Sequence, residues 1–288
     1  MPSLIDIRRR IRSVKNTQQI TKAMKMVSTA KLRKAQDRVI NSRPFARMAA
    51  EVLQKVSAAA SGDERIFEHP LLARRVEKTA QLVLITADRG LAGAFNTNLI
   101  KAAQQFLAEK NAAGVQVEFE LYGRKGRDFF TRRPVTISGE VTGISQNASF
   151  ADAETLANKL IRRFETAEVD SVYLLFNEFK SVLAQRVTLR RILPMALPEG
   201  EAPQDYIFEQ PPAELLGRML PAYVQIQALE AFLETAAAEH AARMTAMESA
   251  SSNAAEVISK LTLYMNQVRQ ASITREIIEV VSGAGALE

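Results

Sequence analysis

Cysteine is absent from the 288 residues, which removes disulfides, thiolate nucleophiles and cysteine-held metals from consideration. Histidine is almost absent: His69 and His240 are the whole supply, far apart in the chain, so histidine-based metal or triad chemistry has little to draw on. No apolar run reaches the roughly 18 residues of a membrane span, and Met1–Ile5 does not read as a signal peptide. The expectation is a soluble, cytosolic chain poor in catalytic side chains. Its length suits one large domain or two ordinary ones. With 47% hydrophobic and 24% charged residues it has ample material for a packed core.

The net charge of +6 conceals a steep asymmetry. The first 50 residues hold 13 Lys and Arg against two acids, Asp6 and Asp37, whereas the remainder carries a net −5. A basic stretch of this kind reads either as a solvated helix face or as a contact for nucleic acid, acidic lipid or an acidic protein surface.

Glycine and proline divide the chain into three parts. Ser3 to Arg43 contains neither, and apolar residues recur at Leu4, Ile7, Ile11 and Val14 on one helix face. The stripe resumes in shifted phase at Ile20, Met24, Val27 and Ala30, and Ser3 with Asp6 gives a Ser-x-x-acid helix start. Between Pro221 and Gly283 lie 61 residues without Gly or Pro. Fully helical, they span roughly 90 Å, too long for one globular core, so a mate or a socket is required. Val257, Leu261, Tyr264 and Val268 predict one stripe there, continued by Ile273, Ile277 and Val280. An alanine-rich middle, Ala236 to Ala250, permits close approach of another backbone. Two long helices at opposite ends of one chain imply an antiparallel coiled coil, with 1–60 pairing with 216–288. The intervening 70–215 alternates strands and helices: strands at 81–86, 115–122, 135–137, 171–177 and 185–192, helices at 98–110, 125–131 and 151–166. That alternation predicts a mostly parallel sheet. The expected fold is thus α/β plus α, a long antiparallel coiled coil with an inserted Rossmann-like α/β domain. Residues 197–212 read as an irregular loop.

The most enzyme-like feature is Thr86-Ala-Asp-Arg-Gly90-Leu-Ala-Gly93-Ala-Phe-Asn96, which follows a strand and opens onto a helix. Its spacing matches neither G-x-G-x-x-G nor G-x-x-x-x-G-K-[ST], so it reads as a tight turn stapled by Asp88 or Arg89. His240, on an Ala-rich helix, is expected to sit at the surface or in an interhelix hydrogen bond. The pairs Asp152/Glu154 and Glu118/Glu120 read as solvated faces. The basic helix could grip DNA phosphates, but its charges interleave with Lys22-Ala-Met24-Lys25-Met26-Val27 and no aromatic precedes Phe45. It suits burial on one side and an acidic protein surface on the other. No catalytic residue, metal site, cofactor or nucleic-acid partner is expected.

Longer motifs point to a family. Ile7-Arg-Arg-Arg-Ile11-Arg-Ser-Val-Lys15-Asn-Thr-Gln-Gln-Ile20-Thr-Lys-Ala-Met24-Lys-Met-Val27 resembles the amino-terminal signature of the gamma subunit, the central-stalk rotor, of bacterial rotary F-type ATP synthases. Glu239-His-Ala-Ala-Arg243-Met-Thr-Ala-Met247 and Asn266-Gln-Val-Arg269-Gln270-Ala-Ser-Ile-Thr274-Arg-Glu276-Ile-Ile-Glu279-Val-Val-Ser-Gly283 resemble its carboxyl-terminal signatures, and Thr86–Asn96 its central motif. The resemblance runs in order over essentially the whole chain. It implies a non-catalytic shaft inside a ring of alpha and beta subunits, with the α/β domain meeting the epsilon subunit and the c-ring. It further implies that proton flow turns the shaft, and that the shaft forces the catalytic beta subunits through their states and regulates ATPase activity.

Residue by residue, the resemblance places Met24 and Lys25 near a moving acidic loop of a beta subunit and makes Arg243 a coupling residue on the opposing helix. It makes Arg269 and Gln270 a catch for beta-subunit loops, and marks Thr274, Glu276 and Glu279 as sensitive for coupling. Residues 280–287 would enter an apolar sleeve, and Tyr206 to Glu209 would form a foot on the c-ring. Where many family members carry Cys in the central loop, Ala92 and Ala94 stand here, and the thiol-regulated insertion of chloroplast forms is missing. With no transit peptide evident, the implied location is the cytoplasmic face of a bacterial inner membrane, as a peripheral component.

Overall fold

The computed structural model describes residues 3–60, 69–144, 148–197 and 209–285. Two long helices, α1 (Leu4–Ala60) and α5 (Pro212–Gly285), bracket an α/β segment. The chain separates into two compact units, 29–243 on one hand and 1–28 with 244–288 on the other, and each long helix contributes to both.

In the larger unit, the strands β1 (Thr79–Ile85), β2 (Gln116–Tyr122), β3 (Thr136–Val141), β4 (Ser171–Phe179) and β5 (Gln185–Leu193) form one sheet in the order β3-β2-β1-β4-β5. The first four run parallel, and β5 returns antiparallel against β4. Six of the seven residues of β1 are buried, the signature of a central strand covered on both faces. Helices α2 (Phe95–Ala112), α3 (Arg124–Phe130) and α4 (Phe150–Glu165) make the crossovers. α4 opens with a reciprocal cap, Ser149 and Asp152 each bonding the other's backbone N–H. Every strand and helix expected in this segment is present, with ends shifted by a few residues.

Proline interrupts neither long helix. Pro44 lies inside α1, and Pro221 inside α5, which starts at Pro212. Proline at the first helical position leaves unmade a hydrogen bond that has no partner anyway. At Pro221 the local loss is offset by burial of Leu216, Leu220 and Val224 on one face. Of the expected loop, residues 197 and 209–211 are described and lie outside any helix or strand, the latter just ahead of that helix.

The strand order reverses at β1 and β4, the place where open α/β sheets leave a crevice beyond their carboxyl ends. Here α5 fills it. Phe232 packs on Tyr122 at the end of β2, ring centroids 5.1 Å apart. Glu234 accepts from the Phe179 N–H at the end of β4, at 2.9 Å. Arg243 donates to the carbonyls of Arg89 and Gly90 after β1. Residues 231–243 are consequently buried on every side.

In the smaller unit the ends of α1 and α5 run antiparallel. Ser3 and Asp6 make the expected helix start: the Asp6 N–H donates to Ser3 Oγ at 3.2 Å and the Ser3 N–H to Asp6 Oδ2 at 3.3 Å. The two hydroxyls of Thr21 and Ser251 meet at 2.7 Å, Gln18 Nε2 donates to the Ser251 carbonyl at 3.3 Å, and Lys25 pairs with Glu248.

The packed seam differs from the expected one. On α1 it runs without a phase slip through Ile7, Ile11, Val14, Gln18, Thr21, Lys25 and Ser28, while Ile20 and Val27 are 60% and 57% exposed. On α5 it runs through Met247, Ser251, Ala254, Ile258, Leu261, Met265 and Val268, leaving Val257 and Tyr264 outside. Both sets keep the three–four rhythm of a coiled coil. What looked like a slip is the apolar stripe leaving the seam for the outer surface, while small and polar residues take its place.

Candidate functional site

The residues singled out by the resemblance occupy three settings. Met24 and Lys25 are half-buried on α1, with Lys25 held by Glu248. Arg269, Gln270, Thr274, Glu276 and Glu279 are all exposed on the carboxyl-terminal turns of α5, where Glu276 accepts from Ser272 Oγ at 3.3 Å. Ile273, Ile277, Ile278, Val280 and Val281 are exposed alongside them, an apolar coat that water alone does not explain. Ser272 is the one half-buried residue between 269 and 282. Tyr206 lies outside the described residues, as do 286–288, and Glu209 is exposed.

Arg243 stands apart. It is 8% exposed, and its guanidinium donates to Glu239 Oε1 at 2.7 Å and to the Gly90 carbonyl at 3.3 Å. The close carboxylate supplies the charge partner and the longer carbonyl bonds use the rest of the fork. This arginine is an internal brace between α5 and the glycine loop. The loop offers carbonyl acceptors to an arginine here, whereas a phosphate cradle offers N–H donors.

The loop itself is held as expected for a structural turn. Asp88 accepts from the Arg124 N–H and, with its other oxygen, from the Gly143 N–H, both at 3.0 Å, so one carboxylate joins the ends of β1, β2 and β3. Asn96 Oδ1 accepts from the Ala87 N–H at 3.0 Å. Gly123 has φ +94°, and a Cβ there would lie 2.1 Å from the Thr86 carbonyl oxygen, so this close approach requires glycine.

Two sequence expectations need correction. His240 is not at the surface: it is 4% exposed, and its Nδ1 has no hydrogen-bond partner. Burial, with Arg243 and Lys31 nearby, pushes the imidazole down to about 4, so the ring is neutral near pH 7. Glu120 is not on a solvated face either. It is buried beneath β3 and takes Lys159 Nζ at 2.6 Å and Ser138 Oγ at 3.1 Å. On a central strand, period two puts Glu118 and Glu120 on one face, and that face is covered by α4.

Buried Glu234, which accepts from Arg43 at 2.9 Å as well as from Phe179, escaped the sequence reading. A signal existed: the acids in Glu234-Thr-Ala-Ala-Ala-Glu239-His-Ala-Ala-Arg243 are charges set among alanines, small enough to be packed tightly. Among the described residues no three His, Asp or Glu side chains are placed to hold a metal ion, and no helix is long and apolar enough to cross a membrane.

Comparison with known proteins gives the same reading throughout. The family model described as ATP synthase matches residues 3–287. The ATP synthase gamma chain of Solibacter usitatus is 62% identical over 288 residues, covering all of both chains. That of Anaeromyxobacter sp. strain Fw109-5 is 47% identical over 291 residues, again complete on both sides. Among solved structures, a chain from the central stalk and c-ring of the Tetrahymena thermophila mitochondrial ATP synthase is similar with a TM-score of 0.62 and 25% identity, over 81% of this chain and 99% of that one. A rotor chain of the Euglena gracilis mitochondrial ATP synthase is similar in fold, with a TM-score of 0.66 and 20% identity over 94% and 98%. With the family model and full-length relatives in agreement, the chain belongs to the ATP synthase gamma-chain family.

Proposed function

We propose that this chain is the central-stalk rotor of a bacterial proton-driven ATP synthase, a subunit without a catalytic site of its own. It transmits c-ring rotation to the catalytic beta subunits of the alpha–beta ring, and the epsilon subunit engages it at the base. The observation that carries this reading is the apolar outer surface of the smaller unit: Ile20, Met26 and Val27 lie outside the seam where Gln18, Thr21, Ser28 and Ser251 fill it, and Ile273, Ile277 and Val280 are exposed on the carboxyl-terminal turns of α5. A helix pair built for water alone would place those side chains inside. One built to turn within a protein socket needs apolar, weakly directional surface outside.

Turning requires that contacts with the surrounding subunits differ between angular positions, because a rotor that bound all positions alike would shift nothing. One proton crossing 100 mV supplies about 2.3 kcal/mol, so several must act on each catalytic step. The exposed charges Arg269, Glu276 and Glu279 suit such contacts, being screened and separable. Met24 and Lys25 are assigned to contact with a beta subunit, with Gln270 and Thr274 beside the exposed set. Tyr206 and Glu209 are assigned to the c-ring foot. Arg243 acts in coupling through the brace it makes inside the chain. The assembly would sit at the cytoplasmic face of the inner membrane.

The test is ATP hydrolysis by purified alpha and beta subunits with and without this chain, followed by proton pumping in membranes. One copy per ring with sustained turnover, and no turnover by this chain alone, is the expected result. A Gln270→Ala, Glu279→Ala pair is expected to retain ATP hydrolysis and lose pumping; intact pumping refutes those two assignments.

A further inference from the structure

A cavity of about 250 Å³ in the larger unit lies between α1 and α5, lined by Lys31, Lys34, Arg38 and His240 together with Leu233 and Ala236. The three cations recur at i, i+3 and i+7, so they share one face of α1. No carboxylate lines this cavity among the described residues. Arg38 is oriented by a bond from one Nη to the Ala148 carbonyl, and a guanidinium carries five N–H donors in a fixed plane. At the cavity wall the His240 ring is buried with Nδ1 unpartnered. A buried polar atom of this kind costs stability unless something completes it.

We propose that this cavity binds a small tetrahedral oxyanion of the phosphate class, held by Lys34, Arg38 and the Nδ1–H of His240, with Lys31 adding charge. The volume falls below the roughly 300–1,000 Å³ of pockets for organic ligands, which fits an ion with a few waters and leaves no room for a nucleotide. A neutral imidazole protonated at Nδ1 donates one hydrogen bond to an anion. The positive groups that depress its ionisation, Arg243 on its own helix and Lys31 on α1, are the field that attracts one. Bound there, the ion bridges α1 and α5 beside the segment that fills the sheet's crevice.

The chain's two histidines make the site readable. His69, whose Nδ1 already accepts from the Leu71 N–H at 3.2 Å, is the internal control. The full chain is titrated with sodium phosphate at constant ionic strength, set with sodium chloride, and the ring signals of both histidines are followed by NMR. Saturable movement of His240 with His69 unmoved is expected, together with an upward shift of the His240 titration. Lys34→Gln with Arg38→Gln is expected to weaken phosphate by about tenfold or more, the loss of charge-assisted bonds, with circular dichroism unchanged. If the pair does not fold, Lys34→Gln alone carries the comparison, since Lys34 is exposed. No saturable change in the unsubstituted chain, or an affinity indifferent to Lys34, overturns the site. Movement with sodium acetate or glutarate but not with phosphate also overturns it, in favour of a carboxylate from an acidic protein segment.

Discussion

Removal of the Arg243 side chain separates two roles that family resemblance merges. If the arginine were chiefly a surface contact for another subunit, Arg243→Ala would leave the isolated chain's stability within about 0.5 kcal/mol of the original. The structure gives it a different task. Glu239 is fully buried and takes the guanidinium at 2.7 Å, and breaking one side of a buried ion pair costs about 3–5 kcal/mol. The bonds to the Arg89 and Gly90 carbonyls, at 3.3–3.4 Å, are long and add less. Arg243→Ala is therefore expected to destabilise the larger unit by about 3 kcal/mol or more, and Arg243→Lys by less, because the charge survives and the planar fork does not. Urea unfolding of the full chain, followed by the near-ultraviolet circular dichroism of its tyrosines, measures the loss. Hydrogen exchange at the amides of 91–96 reports whether the loop loosens first. A variant as stable as the parent, with an unchanged loop, refutes the brace.

Substitutions at four other positions test the interior. The fold holds the His240 imidazole at about 4 against an ordinary 6.5, so between those values the unfolded chain binds more protons. The contribution, about 3 kcal/mol, is complete above pH 6.5 and is lost as pH falls toward 4; His240→Gln is expected to flatten urea stability across that window, and an unchanged slope would contradict the burial. Gly123→Ala forces a Cβ onto the Thr86 carbonyl at positive φ, with an expected loss of about 3 kcal/mol or more, visible as a lowered Tm; a small change would mean the β2–α3 turn can relax. Lys159→Met strands the Glu120 carboxylate beneath β3, with an expected loss near 3 kcal/mol that Glu120→Gln largely restores, and lack of rescue would show that packing rather than charge was lost.

Sequence patterning revealed the sheet because β1 and β4 are covered on both faces, and a continuous apolar run has no other economical reading. It placed Ile7, Ile11, Val14, Leu261 and Val268 in the seam of the long helices, as found, and misassigned the rest because pattern reading equates apolar with inward. Ile20, Val27 and Val257 lie outside the seam, whereas Thr21, Ser28 and Ser251 are buried in it. A chain that belongs in an assembly has a second interior that its own residues do not enclose. The candidate residues were found through family motifs, since nothing in the local chemistry of Gln270 or Glu279 distinguishes them from ordinary helix surface. That Arg243 lies inside depended on α5 crossing the carboxyl ends of three strands, a long-range arrangement that spacing along one helix does not encode.

The outward-facing apolar residues have a consequence during synthesis. A copy of this chain made without its companions exposes Ile20, Met26, Val27 and the isoleucines near 277 to the cell, the kind of surface that chaperones hold and that drives aggregation when they do not. The seam beneath offers little retreat, because Thr21, Ser28 and Ser251 gain nothing by exchanging places with apolar groups. Orphan copies would therefore be short-lived, and the amount of this subunit in a cell would follow the supply of the subunits that enclose it.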